Sequence, residues 1–365
     1  MTSKDVLFKL VRIALGSESD LSLPLSVDWR EVIDLSFEQG VAAIAVDGLQ
    51  RMYDEIPNQV RDDEAQVRND ALEQLDSPSL EDLKYEWFGE VMNCEQEFAT
   101  KVEVINYLLG LWGPKGLEAV ALKGVAFAQY YPVPQHRHSC DFDCYVRPDW
   151  KLADDLVRKD GNEVNDSESK HSRYVVKGVS VENHRSVIGV NGSRKRKGFD
   201  AYLQGLLKDS SPLSAINSRL LTPPWLFDAL FCLAHAQNHF LEEEGITLKH
   251  VLDWGMIRNE ESGMRSGEFR EAVDRFALRK FYEAMDEVAD YVLGGERRAL
   301  SEAARRLLED VLAPKDVRHF GSKFMAHLNI LRMVWVNRWK YRYFSETSAL
   351  ATMWRYVYGH FFDRN

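Results

Sequence analysis

Between two long stretches of helical texture the sequence changes character for one short block, and that block limits the fold more than any other feature. Ala119–Leu122 is a short apolar run, entered through Leu117 and Glu118. Asp141-Phe142-Asp143 opens a second run that ends at Val146. Tyr174–Glu182 carries β-branched residues and alternates. These segments read as strands. In a strand, residues i and i+2 face the same way, so Asp141 and Asp143 share one face while Phe142, Cys144 and Val146 project into a core on the other. Two carboxylates held side by side repel one another unless a cation sits between them.

The flanks are helical. Val27–Asp54 places Val32, Ile33, Leu35, Val41, Ile44, Ala45, Leu49 and Met52 at helical spacing. A long helix follows Ser77-Pro78-Ser79 and reaches about Leu111, with Ser79 and Asp82 as a weak relative of the capping box; Gly113-Pro114-Lys115-Gly116 ends it. Trp150–Lys159 is a short charged helix between strands, followed by a polar loop, Asp160–Lys170. From Pro223 onward helices return at Trp225–Phe240, Thr247–Arg258, Phe269–Leu293 and Glu302–Leu312. The tail from Phe324 to Phe362 is rich in aromatic residues, and their helical spacing fits an aromatic core or an oligomer interface. At about 150 residues per domain, 365 residues suggest two or three domains. The expected class is α+β and predominantly helical: a helical region over 1–117, a small mixed-sheet core over 118–222, and a helical domain over 223–365.

Composition narrows the setting. The 46 Lys and Arg against 57 Asp and Glu give a net charge of -11, which argues against an overall basic nucleic-acid binder. The start of the chain lacks an apolar signal core, and no stretch approaches the ~18 apolar residues of a membrane span. Four cysteines without a CxxC pair make no disulfide framework, and a reducing cytoplasm is the default expectation.

The chemistry centres on Ala121–Val146. Paired carboxylates on one strand face suit one or two Mg²⁺ ions (or Mn²⁺), hard cations that prefer oxygen ligands. In Val179–His184 the valines alternate with Ser180, Glu182 and His184, so Glu182 joins the aspartates if the two strands are neighbours. Lys123-Gly124 follows the first strand, where a glycine lets a phosphate approach the backbone, and Arg137 lies four residues before Asp141 as a natural triphosphate partner. His235 and His239 share a helix face, as do Lys249 and Asp253. The latter two fit a simple ion pair, and Asp253 beside Trp254 fits a contact between helical and catalytic parts. His136 and His138 with Cys140 and Cys144 offer zinc-type ligands, but their spacing matches no common zinc module. Arg194–Lys197 follows a turn signal and reads as a solvated basic loop, with steering of a nucleotide as the functional alternative.

Leu122-Lys123-Gly124, Tyr131-Pro132, Arg137, Asp141-x-Asp143 and Glu182-x-His184, in that order, resemble a bacterial family of largely uncharacterised nucleotidyltransferases with the polymerase-beta-type fold. The resemblance extends to a His-rich helix, Leu233 to His239, and a helix ending in Asp, Leu248 to Asp253, covering roughly residues 30 to 260. It implies a small nucleotidyltransferase sheet and transfer of an NMP group from an NTP to an acceptor, with release of pyrophosphate. Asp141, Asp143 and Glu182 would be the catalytic and metal-binding residues. Lys123, Gly124 and Arg137 would bind the nucleotide, with His184, His235, His239, Lys249 and Asp253 on the substrate side. The acceptor, a protein or a small molecule such as a sugar or antibiotic, is not implied. Cys140 stands where the family usually has Gly, and the helical additions are large. Together they motivate the alternative of a degenerate fold kept for nucleotide binding or regulation.

Overall fold

A computed structural model describes residues 1–24, 26–55, 75, 77–190, 193–242, 245–259, 267–294, 299–314 and 331–361. Three helices come first: α1 (Ser3–Leu15), α2 (Trp29–Glu38) and α3 (Ala42–Glu55). The expected helical stretch Val27–Asp54 is two helices because Gly40 turns the chain at φ +67°. The long α4 (Glu81–Trp112) follows. Its N-cap position is Leu80 without a side-chain cap, so the Ser79/Asp82 box expected from sequence does not form; Ser79 pairs instead with the Ser77 hydroxyl.

The sheet begins with β1 (Glu118–Ala121), then the single turn α5 (Val125–Ala128), β2 (Asp141–Arg147), α6 (Trp150–Lys159) and β3 (Val164–Asn165). β4 (His171–Val176) and β5 (Val179–His184) form a hairpin. The alternating segment Tyr174–Glu182 therefore reverses in its middle, at Lys177-Gly178, where both residues have positive φ as a two-residue hairpin turn requires. After α7 (Arg194–Leu206) come β6 (Ser211–Pro212) and β7 (Leu220–Thr222). The sheet is mixed, in the order β3-β4-β5-β2-β1-β7-β6, and its two-residue edge strands offer little to pair with another chain. It extends past residue 200 because β7 pairs parallel with β1.

The remaining helices are α8 (Trp225–Glu242), α9 (Leu248–Arg258), α10 (Gly267–Arg275), α11 (Arg279–Leu293), α12 (Glu302–Leu312), α13 (Arg338–Phe344) and α14 (Ala349–Phe361). The expected helix Phe269–Leu293 breaks at Ala277, whose φ is +64°. Arg194–Lys197, read as a loop, is the first turn of α7 under a Ser193 N-cap. Arg196 is held there by Asn238, and Lys195 by Glu346, which offsets basic charge at a helix N-terminus. No described helix is long and apolar enough to cross a membrane.

Two cores lie on the two sides of the sheet. On one side Phe142, Cys144, Val146 and Val181 pack with Val104, Leu108 and Trp112 of α4 and Val157 of α6. On the other, Val120 and Leu122 join a large core that runs through α1–α3 and the C-terminal helices together. Arg12 of α1 stitches these helical parts by donating to the carbonyls of Tyr291 and Val292, 2.6 and 2.7 Å away at the end of α11. In the aromatic tail, Phe344 meets Phe240 edge-on at 5.0 Å within this core, whereas Trp335 and Trp354 are exposed.

Gly48 of α3 faces the backbone of α1 so closely that a Cβ would collide with the Leu10 carbonyl. At Gly255 the obstacle is only the tip of the Leu293 side chain, which can rotate away. Gly48→Ala should therefore cost about 1–3 kcal/mol in urea unfolding despite its helix-propensity gain, and Gly255→Ala distinctly less. Equal midpoints for the two variants would contradict this backbone contact.

Candidate active site

β2 and β5 run parallel, with Asp141 beside Ser180 and Asp143 beside Glu182. That register puts ligand atoms of Asp141, Asp143 and Glu182 within 4.8 Å of one another. Phe142 and Cys144 point to the opposite core, as the alternation requires. Lys123 follows β1, and its Nζ lies 3.6 Å from Asp141 and 3.2 Å from Asp143. The three carboxylates thus gather around positive charge.

Each carboxylate is held differently. Asp143 is fully buried, and its Oδ1 accepts from His184 Nε2 at 3.0 Å. Burial alone would raise its pKa, but the Lys123 charge and the His184 hydrogen bond hold it below the usual range. Glu182 is likewise pulled against burial to about 2, by His184 and by Arg173, whose Nη2 donates at 2.5 Å. Asp141 goes the other way: burial, and then the charge of Asp143, raise it. Lys123 rises to about 12 because the charges of Asp143 and Asp141 outweigh its burial. His184 is raised by its bonds to Asp143 and Glu182 against burial, and its Nδ1 donates to the Ser186 carbonyl at 3.2 Å.

The donor set fits a divalent cation. All three groups are carboxylates, and among the described residues the one cation against the buried Asp143 Oδ2 is the Lys123 ammonium, 3.2 Å away. The neighbouring turn is equally specific. Gly124 adopts φ +57°, and a Cβ there would come within 2.9 Å of the Ser139 hydroxyl. Lys101 reaches from α4 to the Ser139 carbonyl and, at 3.0 Å, to its hydroxyl, fixing the strand's approach.

Arg137, the expected triphosphate partner, is buried and engages protein. Its Nε and Nη2 donate to the two oxygens of Asp253, each at 2.7 Å, and Nη1 donates to the Gly124 carbonyl at 3.3 Å. Tyr131 adds a third donor to Asp253 at 2.8 Å. Asp253 therefore pairs with Arg137, where sequence spacing suggested Lys249, and so ties α9 to the segment between β1 and β2. Lys249 is half-buried and makes no ion pair among the described residues. Burial, and then the Arg137 charge, lower its pKa.

His235 and His239 meet edge to face one turn apart on α8 at 4.4 Å, and His250 of α9 lies 5.9 Å from His239. Burial, then the Lys123 charge, hold His235 well below its ordinary pKa. His136 binds Asp47 at 2.8 Å and Glu95 at 3.2 Å, and Cys144 lies on the far face of β2, so the segment His136–Cys144 gathers no thiolate site among the described residues.

Sequence reading missed Lys101, Arg173 and His171. The signal for the last two is the hairpin turn: counting outward from Lys177-Gly178 sets Arg173 opposite Glu182 and His171 opposite His184.

A buried ion pair is fragile to loss of one member. Asp253→Leu alone or Arg137→Met alone should destabilise by about 3–5 kcal/mol, and the double variant by less than either single one. A denaturant double-mutant cycle with additive losses would disprove the coupling.

No curated protein and no solved structure matches the chain. A family model described as uncharacterised nucleotidyltransferase matches residues 26–294. That span takes in the carboxylate strands, the Lys123-Gly124 turn and the helices α8 and α9 that face them. The chain belongs to this family of uncharacterised nucleotidyltransferases.

Proposed function

We propose that the chain transfers an NMP group from an NTP to an acceptor hydroxyl and releases pyrophosphate, with Mg²⁺ or Mn²⁺ held by Asp141, Asp143 and Glu182. The observation that carries this reading is the set of three carboxylates on adjacent parallel strands, next to Lys123 and the Gly124 turn. When bound, the divalent ion neutralises phosphate charge and polarises the reacting phosphate. The chain's own groups do the rest. The backbone at Gly124 leaves room for the triphosphate, and Arg137 holds that turn from behind through the Gly124 carbonyl. Lys123 exchanges its carboxylate partners for phosphate oxygens. Lys249, His235 and His239 line the substrate side. A bond forms between the acceptor oxygen and the α-phosphorus while the α–β phosphoanhydride bond breaks. The electron pair leaves with pyrophosphate, and the hydroxyl proton passes to the carboxylate set. The net charge of -11 favours a protein or small-molecule acceptor over nucleic acid. A cytoplasmic setting agrees with four free cysteines, of which only Cys140 is exposed.

Calorimetry of the full chain with Mg²⁺ and each NTP tests the reading. Wild type should bind at least one NTP only when the metal is present. Asp143→Asn should weaken binding by more than about 100-fold, beyond the 10–100-fold typical of changes outside the ligand shell. No binding with any divalent metal would sink the proposal. Binding without pyrophosphate release across a broad acceptor panel would favour the regulatory alternative.

Asp141 sets the acid limb. Its pKa is raised by burial and by Asp143, and only the ionised carboxylate is a ligand. Metal-supported nucleotide binding should therefore strengthen as pH rises through a value above the ordinary Asp range. Asp141→Asn should remove that rise, and a variant with the same acid limb as wild type would assign it elsewhere.

A further inference from the structure

One buried residue beside the carboxylates, His171, has no part in the nucleotidyl-transfer reading, and it sits with two residues that do, Glu182 and His184. His171, Glu182 and His184, all buried, bring ligand atoms within 4.8 Å of one another. The hairpin register creates this group. His171 pairs directly with His184, and Glu182 lies two residues before His184 on the same face of β5.

His171 is unusual within it. The residue is 6% exposed, yet neither ring nitrogen has a hydrogen-bond partner. Buried polar groups are ordinarily satisfied, so an orphaned imidazole points to a missing partner. Its Nε2 faces carboxylate oxygens of Glu168 at 3.2 Å and Glu182 at 3.5 Å, which is where a shared cation would serve all three groups. His184 becomes a ligand by giving up the Nε2 proton that it shares with Asp143. Its Nδ1 donates to the Ser186 carbonyl, and its Nε2 is aimed at Glu182 Oε2, 3.6 Å away, and at Asp143. Metal-bound histidines are characteristically anchored through the other ring nitrogen in this way.

We propose that His171, Glu182 and His184 form a second divalent-cation site, built for a borderline transition ion such as Zn²⁺, with Glu182 common to it and to the oxygen-only site of Asp141 and Asp143. Imidazole nitrogen suits Zn²⁺ far better than Mg²⁺. Two His and one Glu with a further position open is a known zinc ligand set. Glu168 stands close enough to His171 to supply that further ligand or to leave it to water. Arg173, which pairs with Glu182, is half-exposed and has room to swing outward. The site needs no nucleotide, so it stands or falls separately from the transfer reaction.

The test is titration of the metal-free full chain with Zn²⁺ in the absence of nucleotide, with Co²⁺ as a visible-absorption probe. Wild type and Asp141→Asn should each take up one tight equivalent of Zn²⁺ and give the Co²⁺ bands of a nitrogen-ligated site. His171→Ala should bind at least about tenfold more weakly and lose those bands. His171→Gln, which keeps the volume without the imidazole, guards against a folding defect and should behave as His171→Ala does. The proposal is overturned if wild type binds no Zn²⁺, if folded His171 variants bind it as wild type does, or if Asp141→Asn abolishes it. The last result would mean that a single oxygen site takes both ions.

Discussion

The contact between Arg137 and Asp253 is the constraint on which the site depends. Arg137 comes from the loop before β2 and Asp253 from α9, more than a hundred residues later. The same guanidinium reaches the Gly124 carbonyl, and the same carboxylate accepts from Tyr131. One buried pair therefore fixes the glycine turn, the loop leading into the carboxylate strand and the helical wall opposite. Its charges are desolvated, so the geometry must be close to ideal for the pair to hold, and two parallel 2.7 Å bonds meet that demand. The interaction locks orientation more than it adds stability, because its attraction is set against the cost of burying both ions.

Around that brace, charge is kept in balance at short range. Asp143 is sealed from water, and it is tolerable there because Lys123 and His184 flank it. Glu182 leans on Arg173 and His184 in the same way. Asp141, partly exposed, carries the residual repulsion, and burial first, then the Asp143 charge, raise its pKa. The cluster thus combines two carboxylates favoured in the ionised form with a third, Asp141, whose pKa is raised. In a chain with a net charge of -11, the positive charge beside these carboxylates is supplied locally, by Lys123, His184 and Arg173.

What could be read from sequence follows from how local each signal is. Trp150–Lys159 and Glu302–Leu312 form as the periodicity indicates, because a cap and an amphipathic stripe lie within each segment. The face shared by Asp141 and Asp143 needs only the two-residue strand period. Where non-local contacts decide, reading stops short. Arg137 spaced four residues before a carboxylate gives no hint that its partner lies on α9. Three-residue β7 becomes a strand because β1 and β6 pair with it on either side. The breaks at Gly40 and Ala277 depend on a single left-handed residue each, which a helical pattern in the flanking residues conceals.

The hairpin shows how a remote turn can set chemistry. Lys177 and Gly178 lie six or more residues from His171 and His184, and neither touches the carboxylates among the described contacts. Their positive φ values fix a two-residue turn, and that turn fixes which residues of β4 and β5 oppose one another. A slip of one residue would send Arg173 and His171 to the other face of the sheet, leaving Glu182 without its guanidinium and His184 without its neighbour. The parallel pairing of β5 with β2 then carries the same register to Asp143. The arrangement of the site is thus specified by backbone conformation at a turn that, among the described contacts, makes none with its carboxylates.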